Sequence, residues 1–240
     1  MNLKEVAAVL FDLDGTLTDY DAGCVAGLKA ALKVLNDQSD RKIIWDVFFE
    51  GYQAVIEAES AWSSRTGFKM PARENRIRRF RLLFDGLGLP AGPVLADMAD
   101  AYGLGRITGT RLLPGAREIL DYLVDKYRLG VITEGSVETQ TQQIKGQKIE
   151  GYFEAIIISG ATPWHKPDIS LYNFAASKLD MEPQYIVMVG DRMDWDIRAA
   201  KEIGMQTIFL NGDGDSVDGD VASLYADVVI SDLKEIKTML

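Results

Sequence analysis

Apolar residues along this chain fall into two kinds of run, and the two kinds occupy different stretches. Val6 to Phe11 (VAAVLF) is too continuously apolar for a strand with a solvent face and stops at a turn signal, which predicts a short buried strand. From Leu112 onward the pattern alternates. Arg128 to Thr133, Phe153 to Ser159, Tyr185 to Val189, Gln206 to Leu210 and Ala226 to Ile230 read as strands. Ala116 to Lys126, Val137 to Lys148, Asp168 to Leu179, Trp195 to Ile203 and Leu233 to Met239 read as helices, with Ile169, Tyr172, Ala176 and Leu179 on one face of the third. Strands alternating with helices predict a parallel sheet covered on both faces, which binds ligands beyond the carboxyl ends of its strands.

The stretch from Asp21 to about Arg106 has no strand pattern. Trp45, Phe48, Phe49, Tyr52, Val55 and Ile56 recur at helical spacing, as do Ile77, Phe80, Phe84 and Leu87. Gly86, Gly88 and Pro90 interrupt the period, and Pro93 to Tyr102 resumes it. This predicts an all-helical insert after the first strand, with the aromatic stripe as its core.

Composition narrows the chemistry. A chain of 240 residues with 47% hydrophobic residues holds a real core, as one large domain or a core plus a smaller module. One cysteine, Cys24, excludes an internal disulfide framework and a cysteine-based zinc cluster. One histidine, His165, argues against a multi-histidine metal site or a serine-protease triad. The first apolar run is short and ends in aspartates, so no secretory signal is expected, nor any membrane span, and the expected location is cytoplasmic. A net charge of −10 argues against nucleic acid or anionic lipid as partners. An anionic substrate then needs a local metal ion or lysine to attract it.

Candidate chemistry begins at Asp12-Leu13-Asp14-Gly15-Thr16. Side chains two apart on a strand point the same way, so Asp12 and Asp14 are expected to converge, and Gly15 permits a sharp turn after them. Such carboxylates repel by roughly 4 kcal/mol at about 4 Å and intermediate dielectric. A hard cation such as Mg2+ is the natural group between them. Three more polar sites follow strand ends: Thr133, His165-Lys166-Pro167-Asp168, and Gly190-Asp191 with Asp194 and Asp196 nearby.

In these motifs the chain resembles the haloacid dehalogenase superfamily, in particular its phosphatase-type members with a helical cap. DLDGT at Asp12 to Thr16 is similar to the first motif, Thr133 to the second, Lys166 before a proline to the third, and GDRMDWD at Gly190 to Asp196 to the fourth. The resemblance implies an α/β fold: a Rossmann-like parallel-sheet core, 1–18 and 107–240, with a helical cap at 19–106. It implies Asp12 as nucleophile forming an aspartyl-phosphate, and Asp14 as general acid and then base. It implies Mg2+ held by the Asp12 and Asp191 carboxylates and the Asp14 carbonyl, with Thr133 and Lys166 on the phosphoryl group. Relatives that cleave carbon–halogen bonds lack an acid at the second position, so Asp14 favours a phosphatase. The implied activity is Mg2+-dependent hydrolysis of a small phosphorylated metabolite. A phosphomutase of the same family, or a catalytically weak phosphate-binding protein, is the alternative. Monomer and dimer are both compatible with the sequence.

The chain departs from the family pattern at Glu134, where a small polar residue is usual, and Trp195 is bulkier than expected. Asp196 is placed at the site, orienting Lys166 or a metal-bound water, while Asp194 caps the following helix. His165 is read as a loop residue and Cys24 as buried packing. Arg73, Arg76, Arg78, Arg79 and Arg81 are read as a solvated face with Glu74–Arg78 pairing. The acidic run Asp213, Asp215, Asp218 and Asp220 lacks the glycine and closing glutamate of a calcium loop and is read as solvated.

Overall fold

Six short strands lie side by side, all parallel: β1 (Ala8–Phe11), β2 (Arg128–Thr133), β3 (Ala155–Ile158), β4 (Ile186–Gly190), β5 (Gln206–Leu210) and β6 (Val228–Ile230). The computed structural model describes residues 3–66, 71–212 and 224–240, with side chains described outside 60–66. The acidic run Asp213 to Asp220 lies outside the described residues. Eight α-helices are described: α1 (Tyr20–Gln38), α2 (Trp45–Thr66), α3 (Ala72–Leu87), α4 (Val94–Gly109), α5 (Ala116–Leu123), α6 (Val137–Gly146), α7 (Ile169–Lys178) and α8 (Arg198–Glu202). None is long and apolar enough to cross a membrane.

The strand order is β3-β2-β1-β4-β5-β6. The chain steps outward from β1 through β2 to β3, then returns to lay β4 on the other flank of β1. Strand order therefore reverses between β1 and β4, and such a reversal opens a crevice at the carboxyl ends. Phe11, the last residue of β1, aligns with Val131 on one side and Val189 on the other. Val9 and Phe11 join a core with α5 and the closing 3₁₀ turn Leu233–Thr238, while Ala8 and Leu10 join one with α7 and α8. Both faces are buried, which is why β1 reads as an unbroken apolar run.

Several elements are shorter or tighter than their patterns predict. β3 and β6 are edge strands with one neighbour each, and they begin at Ala155 and Val228 rather than at Phe153 and Ala226. The last segment is 3₁₀ rather than α, held by an Asp232–Glu235 capping box. The helix expected over Trp195 to Ile203 is divided into a π-helical turn, Met193–Ile197, and α8. α7 buries Leu171, Tyr172, Ala175 and Ala176, whereas Ile169, next to the Asp168 cap, stays exposed.

The chain divides into two units, Met1–Tyr20 with Arg111–Leu240, and Asp21–Thr110. In the second, Phe48 and Tyr52 of α2, Phe80 and Phe84 of α3 and Tyr102 of α4 form the core, with Tyr52 and Phe80 centroids 5.7 Å apart. The aromatic stripe is thus packing. The arginine run is not simply a solvated face: Arg78 and Arg79 both pair with Glu59 of α2, which is buried, and Arg73 pairs with Asp100 of α4 at 2.6 Å. These pairs tie α3 to both neighbours. Cys24 is only half-buried, and its sulfur accepts from the Tyr102 hydroxyl at 3.6 Å.

Candidate active site

Asp12 leaves β1 still tied to β4, its N–H donating to the Val189 carbonyl at 2.9 Å. Its carboxylate meets two others that follow β4. One oxygen each from Asp12, Asp191 and Asp196 lie within 4.8 Å of one another. Close approach is possible because two glycines lack a side chain. A Cβ on Gly15, whose φ is +95°, would stand 2.4 Å from Asp191 Oδ2, and one on Gly190 would stand 2.4 Å from the Asp196 Cβ.

Lys166 is buried against this cluster. Its Nζ donates to Asp12 Oδ1 at 2.5 Å and to Asp196 Oδ1 at 2.6 Å. Burial alone would lower its pKa, but the Asp12 and Asp196 carboxylates outweigh that and hold the ammonium above the ordinary lysine range. Three carboxylates against one ammonium give the cluster a formal charge of −2. Burial, with Asp196 and Asp191 adding to it and Lys166 opposing, pushes Asp12 well above the usual carboxylate range. Burial, with Asp196 adding, raises Asp191 in the same direction, against the hydrogen bond it accepts from Thr16 Oγ1 at 2.8 Å. Oxygen donors carrying a residual double negative charge fit a hard divalent cation.

The fourth-motif aspartates separate. Asp196 is wholly buried in the π turn, where it accepts from the Arg192 N–H at 3.0 Å and from Lys166 Nζ at 2.6 Å. Asp194 is exposed and pairs with Arg198 at 2.8 Å rather than capping a helix. Trp195 turns its backbone inward, where its carbonyl accepts from the Tyr172 hydroxyl, while the Arg192 guanidinium lies 4.6 Å over its partly exposed ring.

Asp14 does not follow the period-two expectation, because β1 ends at Phe11 and the chain is already turning. Its carboxylate faces α6 instead. Gln140 Nε2 donates to Oδ2 at 3.0 Å, Gln143 Nε2 donates to Oδ1, and Thr18 Oγ1 lies 3.2 Å from Oδ1. Gln140 also donates to Thr133 Oγ1 at 2.5 Å, so the hydroxyl at the end of β2 joins the same network. Gln140 and Gln143 were not singled out from the sequence. The available signal was a helical stretch, VETQTQQIKG, with almost no apolar face on a chain whose other core helices have one.

Glu134 finds its partners in the third loop. One carboxylate oxygen pairs with His165 Nδ1 and the other accepts from the Lys166 N–H at 3.2 Å. The carboxylate is thereby engaged by the loop that carries Lys166, with His165 of that loop as one partner.

A family model of haloacid dehalogenase-like hydrolases matches residues 6–204. The chain is 28% identical over 240 residues to a glyceraldehyde 3-phosphate phosphatase of Pyrococcus furiosus, covering 99% of this chain and 94% of that protein. It is 26% identical over 221 residues to the human N-acylneuraminate-9-phosphatase, covering 89% and 86%. Among solved structures it resembles the HAD-hydrolase YfnB of Bacillus subtilis, bound to magnesium, with a TM-score of 0.77, 22% identity and 99% of both chains covered.

Proposed function

The chain belongs to the haloacid dehalogenase-like hydrolases, and we propose that it is a Mg2+-dependent phosphatase of small phosphorylated metabolites. The observation that carries this reading is Asp14, a second carboxylate two residues beyond Asp12 yet held outside the Asp12–Asp191–Asp196 cluster. Hydrolysing an alkyl phosphate requires both a nucleophile and a separate acid for a poor leaving group, and these two aspartates divide the tasks. The named phosphatases among its relatives support the same reading.

The Asp12 and Asp191 carboxylates and the Asp14 carbonyl are assigned to the metal, with Asp196 completing the charge set around it. When bound, Mg2+ supplies neutralisation of phosphoryl charge that the acidic site otherwise repels. An Asp12 oxygen attacks phosphorus; the bond to the leaving oxygen breaks as Asp14 delivers its proton there. Water, giving a proton back to Asp14, then attacks the phosphorus of the aspartyl-phosphate, releasing phosphate and restoring Asp12. Lys166 holds Asp12 in line and balances charge, Thr133 donates its hydroxyl to a phosphoryl oxygen, and Glu134 steadies the Lys166 loop. Positioning and charge balance of this kind carry most of phosphoryl-transfer catalysis. The helical unit Asp21–Thr110 is assigned the part of the cap, excluding water and choosing the leaving group.

Phosphate release from a panel of sugar phosphates, glyceraldehyde 3-phosphate, N-acetylneuraminate 9-phosphate and nucleoside monophosphates tests this. Release from at least one carbohydrate-type ester is expected with millimolar Mg2+, and none after chelation. Isomerised product without phosphate would select a mutase; tight binding without turnover would select a sensor.

The raised carboxyls also predict a pH signature. Asp12 and Asp191 have folded-state pKa values above their ordinary 3.8, so their contribution to stability is complete below that value. It is lost as pH rises through the raised folded-state values. Asp100, Glu118 and Glu235 are shifted the other way, so theirs is lost only at lower pH, below about 4. Metal-free protein should therefore melt higher in mildly acidic than in neutral buffer, and Mg2+ should raise Tm most at neutral pH. A magnesium response independent of pH would contradict the charge count.

A further inference from the structure

We propose that Gln140 and Gln143 of α6 are positioning residues for the reaction, aiming the Asp14 carboxylate and directing the Thr133 hydroxyl proton. The inference rests on the phosphatase reading, in which Asp14 is the acid. Three residues apart, the two amides share one helix face, and both side chains are about 1% exposed. Gln143 Nε2 donates to Asp14 Oδ1 and to Thr18 Oγ1 at 2.8 Å, which uses both of its hydrogens. Gln140 Nε2 shares its two hydrogens among three acceptors, Asp14 Oδ2 at 3.0 Å, Thr133 Oγ1 at 2.5 Å and the Glu134 carbonyl at 2.9 Å.

The amide orientation follows from chemistry, since the Glu134 carbonyl can only accept and a carboxyl group accepts at both oxygens once it has delivered its proton. Aiming both nitrogens this way has a price. Gln140 Oε1 and Gln143 Oε1 are buried without a hydrogen-bond partner. A folded protein rarely leaves such groups unsatisfied, and two on adjacent turns beside one carboxylate point to a function for the nitrogens. Gripped at both oxygens, Asp14 keeps one side-chain direction. Thr133 Oγ1, already accepting from Gln140, has its own proton left to donate elsewhere, and a phosphoryl oxygen is the acceptor the reaction presents.

A merely structural pair would affect all substrates alike, whereas a pair that aims the acid matters only where the leaving oxygen needs a proton. From glyceraldehyde 3-phosphate the departing group is a poor alkoxide that needs a proton; from 4-nitrophenyl phosphate it is a stable phenolate. Gln143→Met keeps length and volume but removes the donor. With Mg2+ it should lower kcat/KM for the alkyl ester roughly 10- to 100-fold, the range for a lost hydrogen bond to a charged group, and for the aryl ester by less than about threefold. Gln143→His keeps a neutral N–H donor and should hold the alkyl-to-aryl ratio closer to wild type than Gln143→Met does. Equal losses on both esters in Gln143→Met, or no loss on either, would overturn the proposal while leaving the phosphatase reading intact. A wild-type protein inert to both esters would overturn both. If Gln143→Met fails to fold, Gln143→Asn, which draws the donor back by one methylene, should show the same selective loss on the alkyl ester, and equal losses there would overturn the proposal.

Discussion

Asp12→Asn is expected to reduce phosphate release by about 10⁴-fold or more while raising the melting temperature of the metal-free protein. Both effects come from one carboxylate. An amide oxygen is too weak a nucleophile to form the acyl-phosphate, so the covalent route closes, and a factor of about 10⁴ corresponds to roughly 5–6 kcal/mol of barrier. The same carboxylate is one of three clustered beside a single lysine, which pairs with two of them, in an environment that pushes it towards its neutral form. Removing its charge takes the cluster from −2 to −1, and the repulsion it relieves should appear as stability. For a chain of this size each kcal/mol gained moves Tm by about 2–4 °C. Phosphate-release kinetics with Mg2+ and thermal melts in chelator check the two halves. Activity above about one hundredth of wild type would remove Asp12 from the nucleophile's role, and a lowered metal-free Tm would refute the charge count.

Lys166→Met should do the opposite to stability and the same to activity. The methionine fills most of the volume but leaves Asp12 and Asp196 buried without their shared cation. Stranding a buried charge in this way typically costs about 3–5 kcal/mol, so Tm should fall by about 6–20 °C. Catalysis should drop about 10³-fold or more, because charge on nucleophile and phosphate goes unbalanced. Adding Asp196→Asn to Lys166→Met should recover part of the stability and none of the activity, since the two carboxylates interact through the missing ammonium. An unchanged melting temperature in the single variant would mean that the lysine is not the cation holding these acids together.

The motif residues show how far the chain could be read in one dimension. The alternation of apolar runs placed Asp12, Thr133, Lys166 and Asp191 after the ends of successive strands, and once the strands are parallel, successive ends share one edge of the sheet. That much follows from local patterning. The period-two inference failed at Asp14 because the strand ends at Phe11, one residue before the first acid. The role of Glu134 was hidden because its partners, His165 and Lys166, are about thirty residues away and arrive only when β3 is laid beside β2. Gln140 and Gln143 drew no reading from the sequence; they are buried because α6 lies over the turn that carries Asp14.

The amino-acid order alone determined the alternation of strands and helices, the parallel sheet, and the motif acids, hydroxyl and lysine at or after its strand ends. Periodicity and turn chemistry act over a few residues, so they are written locally. Only the tertiary structure decided how the carboxylates divide, Asp12, Asp191 and Asp196 around Lys166 and Asp14 against α6. Charge pairing and burial depend on distances between residues far apart in the chain, and those distances exist only after the strands have been set side by side.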